Sequence, residues 1–213
     1  MILKLLSIST LHLILLSKIM KKHKLNFKKN SIMMLSLVVV IALGIFFIDI
    51  LKDKTEKGVK LGGSFLLIDQ NEKNFDSKTS NKNKLIYFGY TYCPDICPFD
   101  ILKLSKFIDK NPHLTKKLDF IFITVDPDRD QPQQLKSFLG NFNSSIIGLT
   151  GSKSQIQEVV KKFRIFVKIH KKSSDDENYL VDHSSLFFLV DKNDEYLTHF
   201  RPSDFDSKIQ SLL

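Results

Sequence analysis

Arginine is nearly missing from this chain: three residues stand against twenty-nine lysines in a length of 213. The guanidinium fork is the usual reader of phosphates and base edges, so its scarcity weighs against nucleic-acid recognition. No basic stripe with interleaved aromatics occurs beyond residue 60. Cysteine is scarcer still, with Cys93 and Cys97 alone. Also lacking are a nucleotide-binding glycine loop, a serine-nucleophile motif, an internal repeat and a long low-complexity stretch. The first sixty residues contain no arginine, which argues against a mitochondrial transit peptide.

What is present is unevenly spread. Residues 1–60 hold eleven basic and three acidic side chains, a net +8 of the total +9. The high charge therefore belongs to the N-terminal segment, and residues 61–213 are close to neutral. Ile32 to Ile48 is a run of seventeen residues without a charge. As a helix it would reach roughly 25 Å, and Asp49 to Leu51 can complete a span at the interface. Lys18, Lys21, Lys22, Lys24, Lys28 and Lys29 precede it with no acid among them. The positive-inside rule then places residues 1–31 in the cytoplasm, 32–51 as a transmembrane anchor and all that follows on the far side. A cleaved signal peptide is the competing reading. The run is long for one, and no small-x-small cleavage site follows it. Met20 opens a more ordinary lysine-rich start, so the first nineteen residues are expected to be extra.

Residues 52–60 read as a charged linker and 61–213 as one domain. Candidate strands are Phe65 to Asp69, Leu85 to Tyr90, Asp119 to Val125, Ile146 to Leu149, Leu186 to Val190 and Tyr196 to Phe200, the last two forming a hairpin. Candidate helices run from Pro98 to Lys110, Gln131 to Phe142 and Ser152 to Phe163, with a short one from Ser203. Gln70 to Lys84 is polar and turn-like, and Lys171 to Asn178 reads as a polar loop. This order predicts an α/β sandwich of the thioredoxin-like kind, with a mixed sheet.

The two cysteines lie in Tyr90-Thr91-Tyr92-Cys93-Pro94-Asp95-Ile96-Cys97-Pro98, directly after a strand. Each is followed by proline, which disfavours helical geometry at the residue before it. Pro98 suits a first helical position, so Cys97 is expected as the N-cap, with both sulfurs near the positive end of a helix dipole. That setting favours thiolates and serves metal binding and redox exchange alike. A merely stabilising disulfide is the blander reading, and closing so short a loop contributes little. Asp95 reads as a solvated carboxylate or as a partner just outside the ligands.

Two thiols need a third ligand to make a metal site, and Asp182-His183-Ser184-Ser185 offers one. Two thiolates and an imidazole suit copper, or zinc by ligand type alone. A lone histidine is more often solvated or hydrogen-bonded, and His113, His170 and His199 are read that way. Asp126-Pro127-Asp128-Arg129-Asp130 resembles a calcium loop only superficially, because Gln131 and Ser137 replace the required glycine and glutamate. It is expected to cap the following helix.

These residues resemble the SCO/SenC family. Tyr87 to Pro98 is similar to its strand and cysteine loop, and Thr124 to Pro132 to its second signature. Gly148-Leu149-Thr150-Gly151 and Val181-Asp182-His183-Ser184 follow in the expected order. The resemblance covers about Gly62 to Phe200. It implies a thioredoxin-like fold and one copper ion held by Cys93, Cys97 and His183. It also implies a part in maturing the dinuclear copper centre of cytochrome c oxidase, whose copper-centre subunit would be the partner, beside other periplasmic copper carriers or thiol reductants. A bacterial inner-membrane protein with its domain in the periplasm is the expected setting. Tyr92 departs from the family's usual histidine or phenylalanine. The turns Asn71-Glu72-Lys73 and Asp191 to Glu195 lack the usual glycine. The alternative is a membrane-anchored thiol–disulfide oxidoreductase or redox sensor using Cys93 and Cys97 as a redox pair. A peroxidase reading has no activating arginine to support it.

Overall fold

The computed structural model describes residues 33–48, 60–173 and 176–212, and the chain divides into two units, Met1–Gly58 and Val59–Leu213. In the first unit, residues 33–48 form a helix, α1. Among the described residues no helix is long and apolar enough to cross a membrane. Ile32, residues 49–51 and the lysine-rich segment before the run lie outside the described residues.

The second unit is built on a seven-stranded mixed sheet. Its strands are β1 (Leu66–Asp69), β2 (Asn74–Asp76), β3 (Asn83–Gly89), β4 (Leu118–Thr124), β5 (Ile146–Thr150), β8 (Phe187–Val190) and β9 (Tyr196–Phe200), in the order β2-β1-β5-β4-β3-β8-β9. β3, β4 and β5 are parallel, and β1, β8 and β9 join antiparallel. Leu85 to Phe88 and Phe120 to Ile123 have no exposed surface, as befits central strands covered on both faces.

Successive side chains of a strand point to opposite faces, and the aromatic residues show which helix covers which face. Tyr87, Phe122 and Phe187 share one face. There they meet Phe138 of α3 (Pro132–Leu139) and Phe205 of α5 (Phe205–Leu212), and Phe205 in turn touches Phe107 of α2 (Ile96–Lys110). Phe88 and Phe188 face the other way and meet Phe163 of α4 (Lys153–Phe163). Helices on both sides of a mixed sheet give the expected α/β sandwich. α4 opens with a full capping box between Ser152 and Gln155.

The parallel pairing of β3 with β4 matters most for function. Gly89 stands opposite Thr124 at the ends of the two strands, and the Val125 N–H donates to the Gly89 carbonyl at 2.8 Å. The cysteine loop after β3 and the acidic run after β4 therefore emerge side by side. Crevices at the carboxyl ends of parallel strands are the usual place for sites in open α/β sheets.

At the other end of β3, Lys84 and Asp194 are both fully buried and lie 2.8 Å apart. Asp194 also accepts from the Ser77 hydroxyl, and the Lys84 ammonium donates to the Lys192 carbonyl. Asp194 has φ +64°, as does Glu72. These are the two turns in which a glycine was missed. Both residues take up the left-handed conformation that glycine would adopt freely, and Asp194 does so with its carboxylate buried against an ammonium.

Three expectations need correction. α2 starts at Ile96 with Asp95 as its N-cap, so Cys97 is inside the first turn and Pro98 is its third residue. Proline is tolerated there because first-turn N–H groups have no partner within the helix. Gln70 to Lys84 includes β2 and the start of β3 rather than being all turn. A separate hairpin, β6 (Val167–His170) with β7 (Leu180–His183), was missed. His183 is thus the last residue of a strand, not part of a connection.

Candidate metal centre

Cys93, Cys97 and His183 are brought together. One ligand atom from each lies within 4.8 Å of the others. The Cys97 sulfur is 3.2 Å from His183 Nε2, and both cysteines are free thiols. Cys97 is buried beneath the site and Cys93 is partly exposed above it. Gly89 makes this packing possible. A Cβ built on it would lie 2.9 Å from Phe122 Cε2, 3.0 Å from the Cys97 sulfur and 3.0 Å from Tyr87 Cε1.

The ring orientation of His183 follows from its second nitrogen. Nδ1 is 3.2 Å from the Ser184 carbonyl, which can only accept, so Nδ1 carries the proton. Nε2 is then the nitrogen turned toward the sulfurs and the one available to a metal ion. Tyr87 and Tyr90 place their rings edge-on to the imidazole at 6.4 and 5.9 Å.

The two thiols divide their protons unequally. Hydrogen bonding from Cys97 pulls Cys93 down to about 3, with help from His183 and the backbone N–H groups of Cys97 and Asp95. Those amides belong to the amino end of α2, where anions are favoured. Cys97 is pushed up, because it donates to Cys93 and because it is buried. Tyr87 below it is also pushed up, by burial and then by the Cys97 and Asp100 charges. It stays protonated and donates to Asp100 at 2.7 Å. Asp100 is raised by burial, partly offset by that bond.

The acidic run does not cap α3, whose N-cap Gln131 makes no side-chain capping bond. It turns back toward the site instead. Asp130 is fully buried and accepts from the Thr91 N–H, the Thr91 hydroxyl and the Thr124 hydroxyl. Asp126 accepts from Arg129 Nε at 2.6 Å and from the Tyr179 hydroxyl at 2.6 Å. Sequence reasoning missed these supporting roles; the only signal was a dense acidic cluster at a strand end. Asp95 is exposed and His113 lies in a short turn, Pro112–Lys116. His170 pairs with Asp182 at 2.7 Å and His199 meets the Tyr196 hydroxyl, so neither is brought to the thiols.

The fit to a soft metal rests on the donor set: two sulfurs and one imidazole nitrogen, gathered in a half-buried cluster with Nε2 turned toward the sulfurs. The family model described as SCO1/SenC matches residues 53–212. The chain belongs to the SCO1/SenC family. The SCO2-like protein RP587 of Rickettsia prowazekii is 45% identical over 148 residues, covering 68% of this chain and 71% of that protein. Among solved structures, copper-bound ScoI of Bradyrhizobium japonicum matches with a TM-score of 0.64 at 33% identity, over 72% of this chain and 99% of its own. Copper-bound yeast Sco1 matches with a TM-score of 0.63 at 34% identity, over 71% and 87%. Those SCO1/SenC relatives support the thioredoxin-like fold at identities well above coincidence.

Proposed function

We propose that this protein is a copper carrier for cytochrome c oxidase assembly, which takes up copper through Cys93, Cys97 and His183 and passes it to the oxidase subunit that houses the dinuclear copper centre. The convergence of the three donor atoms carries this reading, together with the copper-bound relatives. Cys93 offers a partly exposed thiolate for first capture, and the buried Cys97 and half-buried His183 complete the donor set. Transfer then proceeds by exchange of these ligands for those of the partner. Tyr92, Ile96 and Phe99 around the cysteine loop, and Phe166 beside the hairpin, are exposed apolar side chains. They suit a transient partner surface at the mouth of the site.

The second reading is thiol–disulfide exchange, favoured by the asymmetry of the pair. The Cys93 thiolate would attack a partner disulfide, and Cys97 would resolve the mixed disulfide, leaving Cys93–Cys97 oxidised and the partner dithiol reduced. We further propose that residues 32–51 anchor the chain in a bacterial inner membrane with the domain in the periplasm. The uncharged run, the lysines before it and the helix over 33–48 support this.

Copper stoichiometry and affinity of the reduced protein test the main reading, compared across Cys93→Ala, Cys97→Ala and His183→Ala. One copper per chain is expected, with tight binding lost in all three variants and a weaker, measurable affinity left by the two remaining donors. No tight binding by the folded, reduced protein would leave thiol exchange as the function. Recovery of the full chain in washed membranes, and its release on deletion of residues 1–58, tests the anchor.

A further inference from the structure

The hairpin that carries His183 is not part of the seven-stranded sheet; among the described residues β7 pairs with β6 alone. The cysteines, by contrast, follow directly from the central strand β3. Something other than sheet hydrogen bonding must hold the imidazole over the thiols. Arg129 occupies that place, in the second signature motif, which the copper reading leaves without a role.

Its guanidinium carbon lies 3.5 Å from the Tyr179 ring centre, 4.8 Å from that of Tyr92 and 5.6 Å from that of Tyr90. Tyr90 and Tyr92 belong to the cysteine loop, and Tyr179 leads into β7. Nη1 donates to the carbonyls of Glu177 at 3.1 Å and Tyr179 at 2.9 Å. Nε donates to Asp126, whose other oxygen accepts from the Tyr179 hydroxyl. Nη2 is buried and has no hydrogen-bond acceptor among the described residues; the aromatic faces surround the cation. One further tie joins the same two parts: the Val181 N–H donates to the Tyr90 hydroxyl at 3.3 Å.

We propose that Arg129 is a positioning residue, a cross-tie that fastens the His183 hairpin to the cysteine loop and sets the imidazole within reach of a metal ion held by the two sulfurs. It touches none of the three donor atoms and acts through His183. This inference rests on the copper reading above. The planar fork is essential to it, since a single donor could not bond Asp126 and two carbonyls while stacking on tyrosine.

The test is a double-variant cycle in the full reduced chain, with copper affinity as the readout and thermal melting as the control. Arg129→Gln is expected to weaken copper binding by ~10–100-fold, the usual effect of losing a residue that orients a metal ligand. In a His183→Ala background the same substitution should change affinity by less than ~2-fold, because the ligand it positions is already gone. A general loosening of the fold would instead lower affinity equally in both backgrounds. Should Arg129→Gln melt early, Tyr179→Phe serves as the second variant, since it removes only the hydroxyl bonded to Asp126. It should show a smaller loss that also vanishes without His183. Unchanged affinity in folded Arg129→Gln, or equal losses in both backgrounds, would overturn the cross-tie. Failure of the unmodified protein to bind copper would overturn the copper reading, and this inference with it.

Discussion

The sulfur of Cys97 and Nε2 of His183 lie 3.2 Å apart although 86 residues separate them in the chain. The contact joins a buried thiol in the first turn of α2 to the last residue of β7. The two cysteines are chemically unequal, because Cys97 is buried and donates to Cys93, and Cys93 is left to face solvent.

That inequality should be visible in alkylation. Cys93 is held as a thiolate down to about 3 in the folded protein, against 9.0 for an unperturbed thiol. Between those values the folded chain binds fewer protons than the unfolded one at this position. The stabilisation is therefore complete above the unfolded value and is lost as pH falls through the folded one. Iodoacetamide should label Cys93 in preference to Cys97, at a rate nearly flat from about pH 8 to about pH 5, since rate follows the thiolate fraction. Peptide mapping at each pH checks this. A tenfold fall per pH unit over that range would mean the thiolate is not stabilised.

Gly89→Ala should damage the site from below. The added Cβ would press on Phe122, Tyr87 and the Cys97 sulfur together. Overpacking of this kind costs ~1–3 kcal/mol, and the sulfur is the neighbour through which copper affinity would also fall. Urea denaturation paired with copper titration reads both. An unchanged midpoint would show that the strand end has room to yield.

Asp130→Ala should loosen the cysteine loop without touching a sulfur. It strands the Thr91 N–H and the hydroxyls of Thr91 and Thr124. Each stranded donor costs ~1–3 kcal/mol when buried. Asp130→Asn keeps one acceptor oxygen and should cost less. Melting temperatures of the two variants in the copper-free protein decide the order, and equal melting would deny Asp130 its role as acceptor.

Lys84→Met should be among the most destabilising single changes away from the site, because it leaves Asp194 charged and buried alone. Breaking a buried pair from one side costs ~3–5 kcal/mol. Lys84→Met combined with Asp194→Gly should regain much of that loss, since glycine takes φ +64° without strain. Copper affinity of the double variant should match the unmodified protein. Denaturation curves of the single and double variants provide the comparison.

The cysteine loop, His183 and the main strands were legible because each carries a local signature: a buried apolar run, proline beside cysteine, or a motif in a fixed order. The β6–β7 hairpin was not. Its strands are four residues long and only Val181 of the eight is buried, so the apolar–polar alternation of Val167 to His170 is too short to stand out. The start of α2 was misplaced because Cys97 is helical here despite the proline that follows it. The inward turn of Asp126 and Asp130 could not be seen either. Its reason lies in Thr91 and Tyr179, which reach those carboxylates only once β3, β4 and the hairpin are assembled.

The ion pair at the foot of β3 has a consequence for how this sequence can change over generations. Residue 194 stands where turn geometry welcomes glycine, yet a drift to glycine alone would abandon an ammonium in the interior, and a loss of Lys84 alone would abandon a carboxylate. Either first step passes through a poorly folded ancestor. The two positions are thus inherited as a unit, and descendants should carry both charges or neither.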